Sequence, residues 1–396
     1  MSASTPVALS SVTLAPEAGL RRESPRPPEL RNERYAEQFD WDTLFYDAYR
    51  VEDHIVLQGP PLRNLAGPVL AAPALRNRWG PLLRRTRRVE RHNASEIWLR
   101  SSADHVRLET TAGTFDIAVQ PNEAHRFAGR RVLHTLSKDN HIRWIIDWIR
   151  YHERIHGADA VLVYDNASTR YTTGELQAEL AAAFPAMVIL VVNWPFKYGP
   201  QGGMAGAVDG REAPWDSDYC QAGSLQHARH RFLRRARSVL NTDIDELVVG
   251  PGPIFAATEA APERFIKFPG QWVSNATTHP VTTADCRHRD FVLRDLHERD
   301  TCPPKWCIVP SAFDDWRHTW SVHNLFGAKA NRAVSPDFTF RHFKGVSNNW
   351  KNDREDAGAF DPARFVADEH LVALLAEAGL IDLDDRHGAP GKTGVC

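Results

Sequence analysis

The chain has 396 residues, of which 42% are hydrophobic and 25% charged, with a formal net charge of −2 at pH 7. That length and apolar content allow one large core or two smaller ones, which excludes a disordered or fibrous protein. The near-neutral balance lacks the basic field with which nucleic-acid binders neutralise phosphates, so no nucleic-acid partner is expected.

Five cysteines, Cys220, Cys286, Cys302, Cys307 and Cys396, are an odd number without paired zinc spacing, and they fit a reducing compartment. The first residues lack a basic stretch ahead of an apolar one, and no apolar run approaches the ~20 residues that span a bilayer. A cytoplasmic protein is expected, with no transmembrane segment and at most peripheral contact with a membrane.

Residues 1–33 are rich in Ser, Pro and Glu without hydrophobic periodicity, which predicts a flexible N-terminal tail. Over 34–128, short alternating segments at Glu96 to Leu99, His105 to Leu108 and Thr114 to Val119 predict a small β-rich N-terminal module. The basic run Arg84 to Arg91 within it reads as a solvated face, or as a contact with an anionic surface.

Over 129–396 the pattern changes. Val132 to Leu136 reads as a buried strand, followed by a helix whose apolar face is Ile142, Ile145, Ile146 and Ile149 at i, i+3, i+4 and i+7. Ala160 to Tyr164 and Val188 to Val192 are continuous apolar runs of the kind found in central parallel strands, with a helix between them at Gly174 to Phe184. A long helix over Gln221 to Arg237 then leads to Ser238 to Leu240 and, past an acidic turn, to Leu247 to Val249. This alternation predicts an α/β fold with an open, mostly parallel sheet flanked by helices, in which ligands sit outside the carboxyl ends of the strands. Further on, short strands are expected around Phe265 to Val273 and Cys307 to Val309, and a terminal helix near Asp368 to Ala378.

Asp-x-Asp occurs at Asp40/Asp42, Asp216/Asp218, Asp243/Asp245 and Asp382/Asp384, so the string alone decides nothing. Asp243, Asp245 and Glu246 stand apart because apolar strands flank them, which places several carboxylates at the ligand-binding edge of a sheet. Such carboxylates repel one another unless a cation, a basic residue or a proton compensates. One resolution is a divalent ion bridging a nucleoside diphosphate; the other is an ordinary acidic turn paired with Arg234 or Arg237. Asp165-Asn166-Ala167-Ser168 is a second polar strand end, able to bind a base or ribose or to form an Asx turn. Asp218, Tyr219 and Gln221 stand ready to add donor contacts, next to the aromatic and glycine-rich segment Trp194 to Gly203.

The series Leu136-Ser137-Lys138-Asp139-Asn140, Trp148-x-x-x-His152, Gly157-Ala158-Asp159 and Val163 to Ser168, followed by Asp243-Ile244-Asp245-Glu246-Leu247, resembles family 2-like and family 92-like glycosyltransferases. The match is good over about 131–250 and looser at Lys305 to His323 and His342-Phe343. The resemblance implies a GT-A fold, a nucleotide-sugar donor (a UDP-sugar foremost), a divalent ion, Mn2+ or Mg2+, and often inversion at the anomeric carbon. It implies that Asp139 and Asp165 hold the nucleoside, that Asp243 and Asp245 hold the diphosphate through the metal, and that His323 or His342 adds a metal contact, His323 being preferred. Lys305 would meet a phosphate. The family association also points to a glycan, polysaccharide or lipid-linked acceptor. For the general base that an acceptor hydroxyl requires, Glu246, Asp314 and Asp315 are candidates, Asp315 being preferred. Two rivals share these residues: a metal-dependent hydrolase or phosphoesterase, and a non-catalytic nucleotide- or carbohydrate-binding protein.

Overall fold

Four runs dominated by branched apolar residues, Arg131–Ser137 (β1), Ala160–Asp165 (β2), Val188–Asn193 (β3) and Ser238–Asn241 (β4), pair in parallel in the order β3-β2-β1-β4. They belong to the computed structural model of the chain, which describes residues 7–76, 85–200, 216–282, 284–348 and 360–382. The helices Ile142–His156 (α1) and Thr173–Ala183 (α2) are the crossovers between β1, β2 and β3. Trp144, Ile145, Trp148 and Ile149 of α1 are buried, and Gly157 closes the helix at φ 72°, a left-handed conformation that glycine adopts without strain. Thr172 and Glu175 form a capping box that starts α2.

Four further strands extend the sheet: Glu246–Val249 (β5), Phe265–Val273 (β6), Cys302–Ile308 (β7) and Thr339–Phe343 (β8). The full order is β3-β2-β1-β4-β7-β6-β8-β5. β7 is antiparallel to β4 and β6, β8 is parallel to β6, and β5 is antiparallel to β8. β4 and β5 are therefore four positions apart in the sheet although only residues 242–245 join them. Four strand spacings in a flat sheet would be roughly 19 Å, and such a link reaches at most about 18 Å when fully extended. The sheet curls instead. The bend lies in β6, which pairs with β7 through Phe265 to Phe268 and with β8 through Gly270 to Val273, with a register break between Phe268 and Gly270. At Gly270 a Cβ would lie 2.2 Å from the Phe340 ring and 2.6 Å from Cys302 Cβ, so only glycine fits.

The predicted helix over 221–237 is shorter and distorted. It runs as an α-helix over Tyr219–His227 (α3) and continues as a π-helix over Ala228–Leu233. All of Ala228 to Leu233 is buried because the N-terminal strands cover its polar side. These strands, Asp47–Val51, His54–Gly59, Ala94–Arg100 and Thr86–Arg91, form an antiparallel sheet in that order, beside a hairpin of His105–Thr110 and Gly113–Ala118. Gln58 Nε2 donates to Gly223 O at 2.7 Å, and buried Asp47 Oδ2 accepts from His227 Nε2 at 2.8 Å and Arg231 Nη1 at 2.7 Å.

The expected tail behaves differently. Across 7–33, Val12 and Leu14 are buried, Arg22 Nη1 donates to Asp40 O at 2.6 Å, and Arg26 Nε donates to Asp216 Oδ1 at 3.1 Å, both guanidiniums being buried. Polar composition concealed a segment anchored by buried arginines as well as by Val12 and Leu14. In the basic run, Arg91 is buried against Glu96 at 2.9 Å, whereas Arg84 lies outside the described residues, as do Asp384 and Cys396. No helix among the described residues is long and apolar enough to cross a membrane.

Candidate functional site

The carboxyl ends of β1 and β2 and the 242–245 turn open into one cleft of about 730 Å³. Ser137, Lys138 and Asn140 line it from β1, Asn166 from β2, and Asp243 to Glu246 from the turn. Trp272, His342 and Lys344 also line it, together with Asp295, Glu298 and Arg364.

In the acidic turn, Asp243 N donates to Glu246 Oε2 at 2.9 Å. Lys305, on the neighbouring β7 and 1% exposed, places Nζ 2.6 Å from Asp243 Oδ2 and 3.2 Å from Glu246 Oε2. The compensating base is thus Lys305, and neither arginine suggested by the sequence takes that place: Arg234 pairs with Glu52 and Asp315, and Arg237 with Glu259. Burial raises the Glu246 carboxyl above the usual range, against the pull of Lys305.

Asp245 meets His342, whose Nε2 donates to Asp245 Oδ2 at 3.1 Å. Burial alone would depress this imidazole, but Asp245 outweighs it and pushes His342 up to about 10. His323 lines the same cleft, with Nδ1 donating to Pro304 O at 2.9 Å. The late histidine against the second aspartate is therefore His342, in place of the preferred His323.

Among the described residues no group of three or more His, Cys, Asp or Glu side chains converges as a metal cage. Mg2+ and similar hard cations commonly take one or two carboxylates from the protein and complete their shell with substrate phosphates and water. Asp245 offers the carboxylate of such a partial site, and His342 can join it only by giving up the Nε2 proton it donates to Asp245, while Asp243 is engaged by Lys305.

The other residues singled out from sequence divide sharply. Asn166 lines the cleft, with Nδ2 donating to Trp194 O and Phe196 O, each at 2.8 Å. Asp218 and Gln221 line it too, and Gln221 Oε1 accepts from Tyr198 OH at 2.8 Å. Gln201, Gly202 and Gly203, at the end of the aromatic and glycine-rich segment, lie outside the described residues.

Asp139 and Asp165 do not line the cleft. Asp139, at φ 52°, accepts from Thr169 N at 2.6 Å and Arg170 N at 3.2 Å, and buried Asp165 accepts from Ser168 N at 3.2 Å and from the Ser168 hydroxyl. Both carboxylates brace the loop after β2, and for Asp165 this local bonding is the Asx-turn alternative. Asp315 is also displaced. It faces Arg229 at 3.4 Å, Arg234 at 3.1 Å and His230 at 3.6 Å, away from the cleft lining.

Sequence reasoning assigned no role to Trp272, Lys344, Asp295, Glu298 or Arg364. Lys344 pairs with Glu298, and Arg364 Nη2 lies 2.7 Å from Asp295 Oδ2. The available signal was Lys344 two residues beyond His342, since alternate residues of a strand share a face.

No family model matches the chain, and a search of the curated proteins finds no similar one. A solved structure described as the WbbM bifunctional glycosyltransferase in its apo form is similar over 39% of this chain and 24% of its own, at 12% identity and a TM-score of 0.23. The similarity thus spans about a quarter of that structure, and an overlap of this quality carries no argument about function.

Proposed function

We propose that the chain is a glycosyltransferase that moves a sugar from a nucleotide-sugar donor, a UDP-sugar foremost, to a hydroxyl of a glycan or lipid-linked acceptor. The observation that supports this reading is the meeting of two polar ends of parallel strands with the acidic turn in a single cleft of about 730 Å³. Such strand ends are where open α/β sheets hold their ligands. Pockets of this size enclose small molecules and cofactors.

On this reading Asp245 would hold Mn2+ or Mg2+, joined by His342 once its Nε2 proton is released to solvent, and the ion would supply Lewis-acid neutralisation of the diphosphate charge. Lys138, whose Nζ donates to Asn166 O at 3.0 Å, adds positive charge at the strand ends, while Glu298 and Asp295 balance Lys344 and Arg364. Glu246 is the general base: its Oε2 accepts from Asp243 N, and Oε1 receives the acceptor proton. The acceptor oxygen then bonds to the anomeric carbon as the bond to the diphosphate breaks, and the nucleoside diphosphate leaves with the electron pair. A base with a raised carboxyl suits proton transfer near neutral pH.

The test is a thermal-shift series with UDP, GDP and CDP and their sugars, with and without Mn2+. One nucleotide should raise Tm in a metal-dependent way, because ligands that prefer the native state stabilise it. No shift with any nucleotide overturns the reading. Release of free sugar without an acceptor, at the same rate as with one, would replace it with a hydrolase.

A further inference from the structure

We propose that Trp272 is a positioning residue that holds the His342 imidazole against Asp245. This rests on the donor-site reading above. Trp272 and His342 are register partners on the adjacent strands β6 and β8. Their rings stack, with centroids 4.1 Å apart and planes 20° from parallel, while His342 Nε2 stays 3.1 Å from Asp245 Oδ2.

The stack belongs to a row. Two residues earlier on the same strand faces, Gly270 pairs with Phe340, and the missing Cβ at Gly270 leaves room for the Phe340 ring. That ring lies 6.1 Å from the imidazole centroid. Glu246, whose Oε1 is 4.0 Å from His342 Nδ1, faces the imidazole from β5, and Cys302 faces it from β7. Trp272 covers the ring plane and leaves the ring edge directed at Asp245.

The same indole meets a second cleft group. Lys344 Nζ stands 5.2 Å from its centroid, within cation–π range, and pairs with Glu298. One side chain therefore fixes both an imidazole and an ammonium on the same wall. A ligand group locked by packing loses less conformational freedom when it binds than one that must first be ordered. Trp272 contributes affinity through His342 without itself contacting the ion.

The test is calorimetric titration of the full chain with Mn2+ alone and then with UDP in the presence of Mn2+. The proteins compared are wild type, Trp272→Phe, Trp272→Leu and His342→Ala, each checked by circular dichroism and Tm. Trp272→Leu should weaken Mn2+ binding about tenfold, the lower end of the effect of losing an outer-shell partner. Trp272→Phe, which keeps a stacking ring, should stay within about threefold of wild type. If Trp272→Leu binds Mn2+ as tightly as wild type while His342→Ala is weakened, the positioning role is overturned and the donor site stands. Equal weakening by Leu and Phe also overturns it, since stacking would then not be the cause. A wild-type chain that binds neither Mn2+ nor UDP instead removes the donor-site reading beneath it.

Discussion

At the residue scale, partners rather than motifs decide what a carboxylate does. Asp216 is consumed by Arg26, Asp42 pairs with Arg21 at 3.2 Å, and Asp243, Asp245 and Glu246 reach the cleft with Lys305 and His342 as their counterparts. Two contrasts follow from this geometry. Glu246→Gln should lower kcat by about 10²–10⁴, the usual worth of a positioned general base, while donor affinity stays within about threefold. Asp315→Asn should leave kcat within about twofold and cost about 1–3 kcal/mol in urea unfolding, because Arg234 is partly exposed but the Arg229 and His230 side chains that also face Asp315 are buried. The opposite ranking in a steady-state assay would restore Asp315 as the base. Asp245→Asn should eliminate the Mn2+-dependent part of the UDP thermal shift while leaving the ligand-free Tm close to that of wild type.

At the element scale, the parallel half was legible because each strand is a continuous apolar run whose register is fixed by burial on both faces. Val132 to Leu136, Ala160 to Tyr164 and Val188 to Val192 fall within β1, β2 and β3. The other half was not legible in the same way. β5, β6, β7 and β8 meet through long-range pairings, and periodicity within a segment does not specify which strand it joins. That is why His342 could be named as one of two late histidines but its place opposite Glu246 and beside Trp272 could not be read. The π-helical turn at Ala228–Leu233 was hidden for a related reason, since its arginines and histidines look solvated until Asp47 and Glu96 are brought against them. Gly270 is the element-level test. Gly270→Ala drives a methyl group into Phe340 and Cys302, and should cost about 1–3 kcal/mol, the usual range for overpacking. A urea midpoint unchanged from wild type would mean that the bend in β6 does not depend on the missing side chain.

At the scale of the whole molecule, the core and the N-terminal strands enclose histidines that must stay neutral. His134, His156 and His227 are buried, and burial pushes each of them down to about 4. Their surroundings explain why the charge is excluded. His134 Nδ1 faces Asn241 Oδ1 at 3.1 Å, His156 Nε2 donates to Val248 O at 2.8 Å, and His227 Nδ1 accepts from Tyr164 OH at 2.7 Å while Arg231 lies on the same Asp47 carboxylate. In the unfolded chain these groups titrate near 6.5. Between about 6.5 and about 4 the unfolded state therefore binds more protons than the folded one, so stability falls as pH falls. The contribution is fully present above about 6.5, and its loss by pH 4 is roughly 3 kcal/mol for each histidine. Losses of that size rival the 5–15 kcal/mol that holds a typical domain together. The urea midpoint should decline steadily below pH 6.5, before carboxylates of the unfolded chain begin to titrate, and it should also fall as pH rises from 7 to 8, because the folded chain keeps on His342, held up to about 10 by Asp245, a proton that the unfolded chain releases above about 6.5. His156→Gln, which removes one such group, should flatten that decline even though the substitution itself lowers stability at pH 8. A midpoint that holds constant down to pH 5 would show that these histidines accept protons without unfolding the core.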